Sequence, residues 1–214
     1  MKICMINGSP KTGESNSGII LDKLNKLLKE KNEVKIYSHN FEHFTGETYK
    51  EIILMDVIVL AFPLYGDSIP SYTLKMLVEL EKTIKQERAN KLILYSIVNN
   101  GFYEGKQNHV VFEILRHWCE HSGVQFGGGI GQGSGELLGV MKNNPLTKIL
   151  FYKLYRSLVL LEKKIELKEP FEVILLNPYF PRSLYMMSGK LYFQFRAYRN
   201  GLSKKDIIRG VESL

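Results

Sequence analysis

Apolar runs alternate with amphipathic segments through about two thirds of this sequence. The short runs consist mostly of Ile, Val, Leu and Phe, and they have the length and composition of buried strands. Between them, apolar residues recur at spacings of three and four, as in helices with one buried face. Strands are predicted at residues 2–6, 34–37, 57–62, 92–98 and 124–130.

The alternation predicts an α/β fold, with a five-stranded parallel sheet and helices on both faces. Pro70 opens one helix, since proline is favoured in the first helical turn. Its inward stripe is predicted to include Leu74, Leu77, Val78 and Ile84. The Gly-rich stretch that follows the fifth strand, up to Pro145, is predicted to be a loop. A helix after it closes the fold.

The C-terminal part of the chain has a different pattern. From Arg182 to Tyr198 it is apolar on almost every side of a predicted helix, and basic residues interrupt the pattern. Such a helix has to be covered by another surface. We expect a subunit interface in a homodimer or tetramer, with peripheral membrane contact as the alternative. The predicted division is a main domain at 1–168 and a basic, aromatic, helical extension at 169–214.

The loop after the first strand, residues 8–17, predicts a phosphate site. It is rich in Gly, Ser, Thr and Asn and leads into a helix, so it offers N–H groups, hydroxyls and the positive helix end to one point. It lacks the Walker A lysine, whose position is taken by Glu14, and Pro10 breaks the dinucleotide fingerprint. A phosphomonoester fits the remaining pattern, and an ordinary helix-capping loop is the alternative. The candidate donors are Ser9, Lys11, Thr12, Ser15, Asn16 and Ser17.

Two further loops, residues 63–70 and 99–105, follow the third and fourth predicted strands. In open parallel sheets, ligands bind beyond the carboxyl ends of strands at the topological switch point. The three loops are therefore expected to form one site.

Composition and charge bear on the cellular compartment and on the class of partner. The 214 residues carry a net charge of +7, which is concentrated after residue 141, where 14 basic residues face 6 acidic ones. Basic excess alone is a weak signal, and we predict no nucleic-acid partner. Two unclustered cysteines indicate reduced thiols. The first strand begins at residue 2 and leaves no space for a signal peptide, so a cytoplasmic location is expected.

The three loops together resemble those of the flavodoxin-like NAD(P)H-dependent FMN reductases, including the multimeric flavodoxin group. The matching segments are residues 8–17 (GSPKTGESNS), 61–70 (AFPLYGDSIP) and 99–105 (NNGFYEG). The resemblance spans roughly residues 1–140 and implies a flavodoxin-like fold with FMN as cofactor and NAD(P)H as co-substrate.

The resemblance also implies roles for individual residues. Ser9, Ser15, Asn16 and Ser17 would bind the FMN phosphate. Residues of the second loop would border the isoalloxazine ring and offer it N–H groups, and those of the third would flank it: Pro63, Leu64, Tyr65, Gly66, Asn99, Asn100, Gly101 and Phe102. Hydride would pass from the nicotinamide through flavin N5 to a quinone, flavin or similar small electron acceptor. No catalytic side chain is required.

Two other functions remain open from the sequence. One is a non-enzymatic electron carrier, which the pI of 9.2 and the extra C-terminal segment disfavour. The other is a flavin-binding module that docks to a membrane or partner through its tail. No metal site is predicted, since Cys119 points away from the helix face that His117 and His121 share.

Overall fold

The computed structural model describes residues 1–38, 44–87, 91–203 and 206. The strands are β1 (Lys2–Asn7), β2 (Glu33–Ser38), β3 (Val57–Pro63), β4 (Ile93–Asn99), β5 (Gln125–Gln132) and β6 (Ile174–Leu176). The helices are α1 (Asn16–Leu28), α2 (Gly46–Ile53), α3 (Ser71–Glu87), α4 (His109–Ser122), α5 (Glu136–Val140), α6 (Leu146–Leu150), α7 (Tyr152–Leu167) and α8 (Arg182–Arg199). A short 3-10 helix, Gly105–Asn108, precedes α4.

The strands form one parallel sheet in the order β2-β1-β3-β4-β5-β6. The first five follow the flavodoxin-like order, in which the chain reverses direction across the sheet between β1 and β3. The predicted fold class is therefore confirmed, but the strand count of five is wrong. The sixth strand has only three residues. It pairs with β5, with Ile174 opposite Ile130.

Two apolar layers cover the sheet, as strand alternation requires. In β1, Cys4 and Ile6 pack with α2, α3 and α4, whereas Ile3 and Met5 pack with α1, α5 and α7. β3 divides in the same way, and all of its residues but Pro63 are fully buried. Helices therefore shield both faces of the central strands from water, and a ligand can reach these strands only at their ends.

The inward stripe of α3 differs from the prediction. Leu77 and Ile84 are buried as expected, but Leu74 and Val78 are exposed. The buried positions are Thr73, Met76, Leu77, Leu80 and Ile84. Thr73 takes an inward position because its hydroxyl donates to the Gly8 carbonyl at 2.8 Å, which turns the stripe toward the first loop.

The chain divides into two compact units, Met1–Pro178 and Tyr179–Leu214. The division falls ten residues beyond the predicted boundary at 168/169. Residues 169–178 stay with the first unit because Phe171 N–H donates to Gly127 O at 2.9 Å and β6 extends the sheet. Residues 204, 205 and 207–214 of the predicted extension lie outside the described residues.

In the second unit, α8 runs for 18 residues and ends in a Schellman motif. Gly201 has a φ of 76°, its N–H donates to Tyr198 O, and Leu202 N–H donates to Ala197 O. None of the residues of α8 is buried. Among the described residues, no helix has the length and apolar content needed to span a bilayer.

Candidate functional site

A cleft of about 240 Å³ opens at the carboxyl ends of β1, β3 and β4. It lies where the strand order reverses, as expected of a ligand site in such a sheet. We call it the switch-point cleft, and it is lined by Ser9, Lys11, Ser15, Asn16, Ser17, Pro63, Leu64, Tyr65, Asn99, Asn100, Gly101 and Glu136. The three predicted loops therefore meet in one cavity.

The first loop is fixed at its base by Gly8. Its N–H donates to the Ala61 carbonyl at 2.7 Å, and its carbonyl accepts the Thr73 hydroxyl. A Cβ at this position would lie 2.8 Å from Thr73 Oγ1, so only glycine allows so close an approach. The loop consequently leaves the sheet along a defined path.

Ser15 caps α1. Its backbone is extended, with φ −126° and ψ 156°, and its Oγ accepts the Gly18 N–H at 3.1 Å. The same hydroxyl contacts both ends of the Asn7 side-chain amide, at 3.1 and 3.3 Å. Asn7 Oδ1 also accepts the Ser9 N–H, at 3.2 Å. Ser15 is thus engaged within the loop, and it shapes the helix start.

The N-terminus of α1 faces the cleft with a positive partial charge. The N–H groups of the first helical turn have no carbonyl four residues before them to pair with. The first turn contains no acidic residue. Asn16 and Ser17, the first two residues of α1, both line the cleft, so this end can hold an anion.

The charge of Glu14 is directed away from the helix start. Its side chain is exposed and forms an ion pair with Lys142. Glu14 therefore faces solvent. Lys11, which is exposed, is the remaining cation of the cleft wall.

The second loop makes a tight turn from Tyr65 to Ser68. Both central residues, Gly66 and Asp67, have a φ of 55°, as in a type I′ turn. Tyr65 and Ser68 exchange both backbone hydrogen bonds at 3.1 Å, and Leu64 N–H donates to Asn99 O at 2.7 Å. The expectation that Leu64 and Tyr65 offer N–H groups to a ligand is therefore wrong, because both groups are already bonded.

The third loop contributes two buried amides. Asn99 Nδ2 donates to Ser17 Oγ at 2.8 Å and to Phe62 O at 3.3 Å, which joins β4 to α1 and β3. Asn100 Nδ2 donates to Glu104 O at 3.2 Å. Asn100 Oδ1 is buried and has no hydrogen-bond partner among the residues that the structure describes. It is an unmet acceptor in the wall of the cleft.

Glu136 also lines the cleft, although its sequence context did not mark it as a site residue. It begins α5, which lies in the stretch that we expected to be a loop. Ser134 N–H donates to Phe102 O at 2.5 Å and Gly135 N–H to Asn100 O at 2.7 Å, so this segment folds back onto the third loop. Glu136 Oε1 lies 3.1 Å from the position that a Cβ at Gly101 would occupy.

Most of the predicted site residues line the cleft, and three do not. Gly66 lies in the exposed turn, Thr12 is exposed, and Phe102 is half exposed beyond the lining. Which of the residues bind a ligand stays a prediction.

The two histidines near Cys119 lie on the outside of α4. His117 contacts Glu120 at 3.3 Å, and His121 contacts Glu81 at 2.8 Å. Cys119 is buried, and burial raises its pKa to about 12. Cys4 is also a free, buried thiol.

No protein-family model matches the chain, and no curated protein matches it. Solved structures do. An NADPH-quinone reductase from P. pentosaceus is similar with a TM-score of 0.56 and 14% identity, covering 77% of this chain and 97% of that one. A flavone reductase is similar with a TM-score of 0.50 and 14% identity, covering 80% of this chain and 66% of that one. By its strand order and by these likenesses, the chain has the flavodoxin-like fold.

Proposed function

We propose that this protein is a flavin-dependent oxidoreductase that uses FMN and transfers hydride from NAD(P)H to a quinone, a flavin or a similar small acceptor. The switch-point cleft carries this proposal. One end of it offers N–H groups and hydroxyls, and the other is bordered by Pro63, Leu64 and Tyr65. A ligand with a phosphate at one end and a flat, largely apolar ring at the other matches both ends.

The residues at the α1 terminus fit a phosphomonoester. The first-turn N–H groups of Asn16 and Ser17 would donate to its oxygens, and Lys11 would add one positive charge. Ser9 is buried beside them and adds a hydroxyl. Because the Glu14 carboxylate pairs with Lys142, no acidic side chain of the loop opposes the phosphate.

The residues of the other two loops fit the ring. Pro63 and Leu64 provide an apolar wall, and Gly101 lets the third loop approach closely. Asn100 Oδ1 is a buried acceptor that a ligand N–H would satisfy.

FMN would supply the chemistry, namely acceptance of hydride from a nicotinamide and its transfer to an acceptor. The protein would hold the cofactor and leave part of it open to the second substrate. Tyr65, which is half exposed at the rim, would border that opening. Glu136 is the acidic residue of the lining, and its carboxylate would disfavour acceptors with a negative charge on that side.

The similarity to an NADPH-quinone reductase supports an enzyme over an electron carrier. That enzyme is named for both a nicotinamide and a quinone, whereas an electron carrier needs neither. A pI of 9.2 also differs from the acidic character typical of flavodoxins.

The test is to load the purified protein with FMN, remove oxygen, and mix it with NADH or NADPH. We expect stoichiometric FMN binding and rapid loss of the flavin's visible absorbance, followed by its return when a soluble quinone is added. A protein that cannot be loaded with FMN contradicts the cofactor assignment. Stable binding without reduction by either nicotinamide would instead favour the electron carrier.

A further inference from the structure

The helix α8 has an exposed apolar stripe. Its members follow one another at spacings of three or four residues and occupy roughly 80° of the helix circumference. They are Leu184, Met187, Leu191, Phe195 and Tyr198, and each is well exposed. We propose that this stripe docks α8 onto an anionic membrane surface. The proposal stands independently of the function assigned to the switch-point cleft.

The described part of the second unit gives α8 no surface to pack on. Gly189 lies in its middle, and a glycine there costs about 1 kcal/mol relative to alanine. Helices of this length depend mainly on packing of an amphipathic face, yet α8 buries none of its residues. The stability that packing normally provides therefore has to come from a partner or a surface.

Charge decides which surface is favoured. The sequence from residue 173 to residue 205 contains six basic residues and no acidic one. On a helical wheel, Lys190 and Arg199 flank the apolar stripe on either side, and Arg196 lies on the opposite face with Met186 and Phe193. Long basic side chains can extend from an inserted helix to the lipid headgroups. An anionic bilayer thus complements both the stripe and the cations.

A second copy of the helix is a poorer match. Two copies would face each other with only positive charges, and no carboxylate of either helix could compensate for the repulsion. An interfacial helix, in contrast, gains about 1 kcal/mol per basic residue near an anionic surface, which corresponds to about fivefold in affinity. Its geometry is that of a helix lying along the bilayer, since α8 does not qualify as a membrane span.

The test is vesicle flotation with the full-length protein. We expect it to float with phosphatidylcholine vesicles that contain about one-third phosphatidylglycerol, and to bind pure phosphatidylcholine at least about tenfold more weakly. Raising NaCl from about 50 mM to about 500 mM should release a large part of the bound protein, because salt screens the headgroup charge.

Single substitutions measure separately how much the apolar stripe and the basic residues contribute to the affinity for vesicles. Leu191→Glu should lower the affinity for anionic vesicles at least about tenfold, since it places a carboxylate where a leucine would be buried. Lys190→Gln and Arg199→Gln should each lower it about fivefold. Glutamine is a good helix former, so a loss in these two variants does not come from unfolding of α8.

Leu54→Glu is the matched control. Leu54 is 66% exposed, close to the 57% of Leu191, but it follows α2 in the first unit. We expect it to bind vesicles like the wild type. Equal binding to neutral and anionic vesicles would overturn the proposal. So would a dimer, measured by light scattering, that Leu191→Glu dissociates while no vesicle binding is seen.

Discussion

Ser15 lies where the first loop becomes α1, and its hydroxyl accepts the Gly18 N–H. Aspartate caps helices about as well as serine, so Ser15→Asp should keep the free energy of unfolding within about 0.5 kcal/mol. Its carboxylate would stand beside the phosphate site and should weaken FMN binding by roughly tenfold or more. Ser15→Ala should instead cost about 1 kcal/mol of stability.

Urea unfolding and FMN titration measure the two effects of Ser15 separately. If Ser15→Asp bound FMN as tightly as the wild type, the phosphate would not lie at this helix end.

Gly133 is packed against backbone. A Cβ on it would lie 2.2 Å from Tyr103 O and 2.7 Å from Gly105 N. Because backbone atoms cannot move aside cheaply, Gly133→Ala should destabilise the fold by about 1–3 kcal/mol, as other overpacked substitutions do. Gly46→Ala is the control, since no atom of the described residues lies within 4 Å of its added methyl. Equal urea midpoints for the two variants would contradict this packing.

Asp56 makes stability depend on pH. Its carboxylate bonds Lys168 Nζ at 2.6 Å and the Lys2 N–H at 2.8 Å, and these bonds hold the pKa of Asp56 below its usual range. Its contribution is therefore present above the unfolded pKa of about 3.9 and is lost as pH falls through the lower folded value.

Asp56→Asn should be less stable than the wild type at about pH 7, by up to about 1 kcal/mol for so exposed a pair. The difference should shrink below about pH 4, where the wild-type carboxyl also becomes neutral. Urea unfolding across this range measures it, with Asp22→Asn on the exposed side of α1 as control. A difference that stays constant with pH would contradict the assignment.

At the scale of elements, β6 determines where the first unit ends. A chain that stops at residue 168 loses β6, Phe171 and Leu176, all of which belong to or pack against one of the two cores. We expect it to be less stable than a chain that stops at residue 178 by roughly 3 kcal/mol or more, from the lost apolar burial. Thermal and urea unfolding of both chains measure this, and equal stabilities would place the boundary at 168.

β1, β3 and β4 could be predicted because each is a run of mainly apolar residues, and β2 and β5 because they continue the alternation of strands with helices. β6 could not, since three residues carry no periodicity and its pairing with β5 is set by the sheet. The stripe of α3 was predicted wrongly at Leu74 and Val78, because the sequence pattern gives no sign that Thr73 occupies an inward position. Thr73 is buried because it bonds the Gly8 carbonyl of a distant loop.

In the site, too, the features set by local sequence could be predicted, and those set by distant contacts could not. Its three loops were predicted from strand ends and local composition. Glu136 was missed because α5 has five residues within a Gly-rich stretch. Its place at the cleft depends on bonds from Ser134 and Gly135 to residues more than 30 positions earlier in the chain.

At the scale of the whole molecule, the two units are expected to have separable tasks. Residues 179–214 carry seven basic and two acidic residues, and the residues that line the switch-point cleft belong to the first unit. A chain that ends at Pro178 should therefore bind FMN and be reduced by NAD(P)H like the full protein, but should no longer float with anionic vesicles. Loss of FMN binding in this chain would show that the tail contributes to the cleft.

The bonds from Leu176 and Asn177, at the end of β6, to Gly133 and Gly105 also bear on how the protein is made. Asn177 Oδ1 accepts the Gly105 N–H from 72 positions further along the chain, and Leu176 O accepts the Gly133 N–H. A ribosome-bound chain that has emerged only through β5 already contains α1 and all three loops, but lacks the partners that fix the third. If the protein binds FMN as proposed, cofactor capture should therefore follow synthesis through Asn177, and a cell short of cofactor should accumulate finished apoprotein.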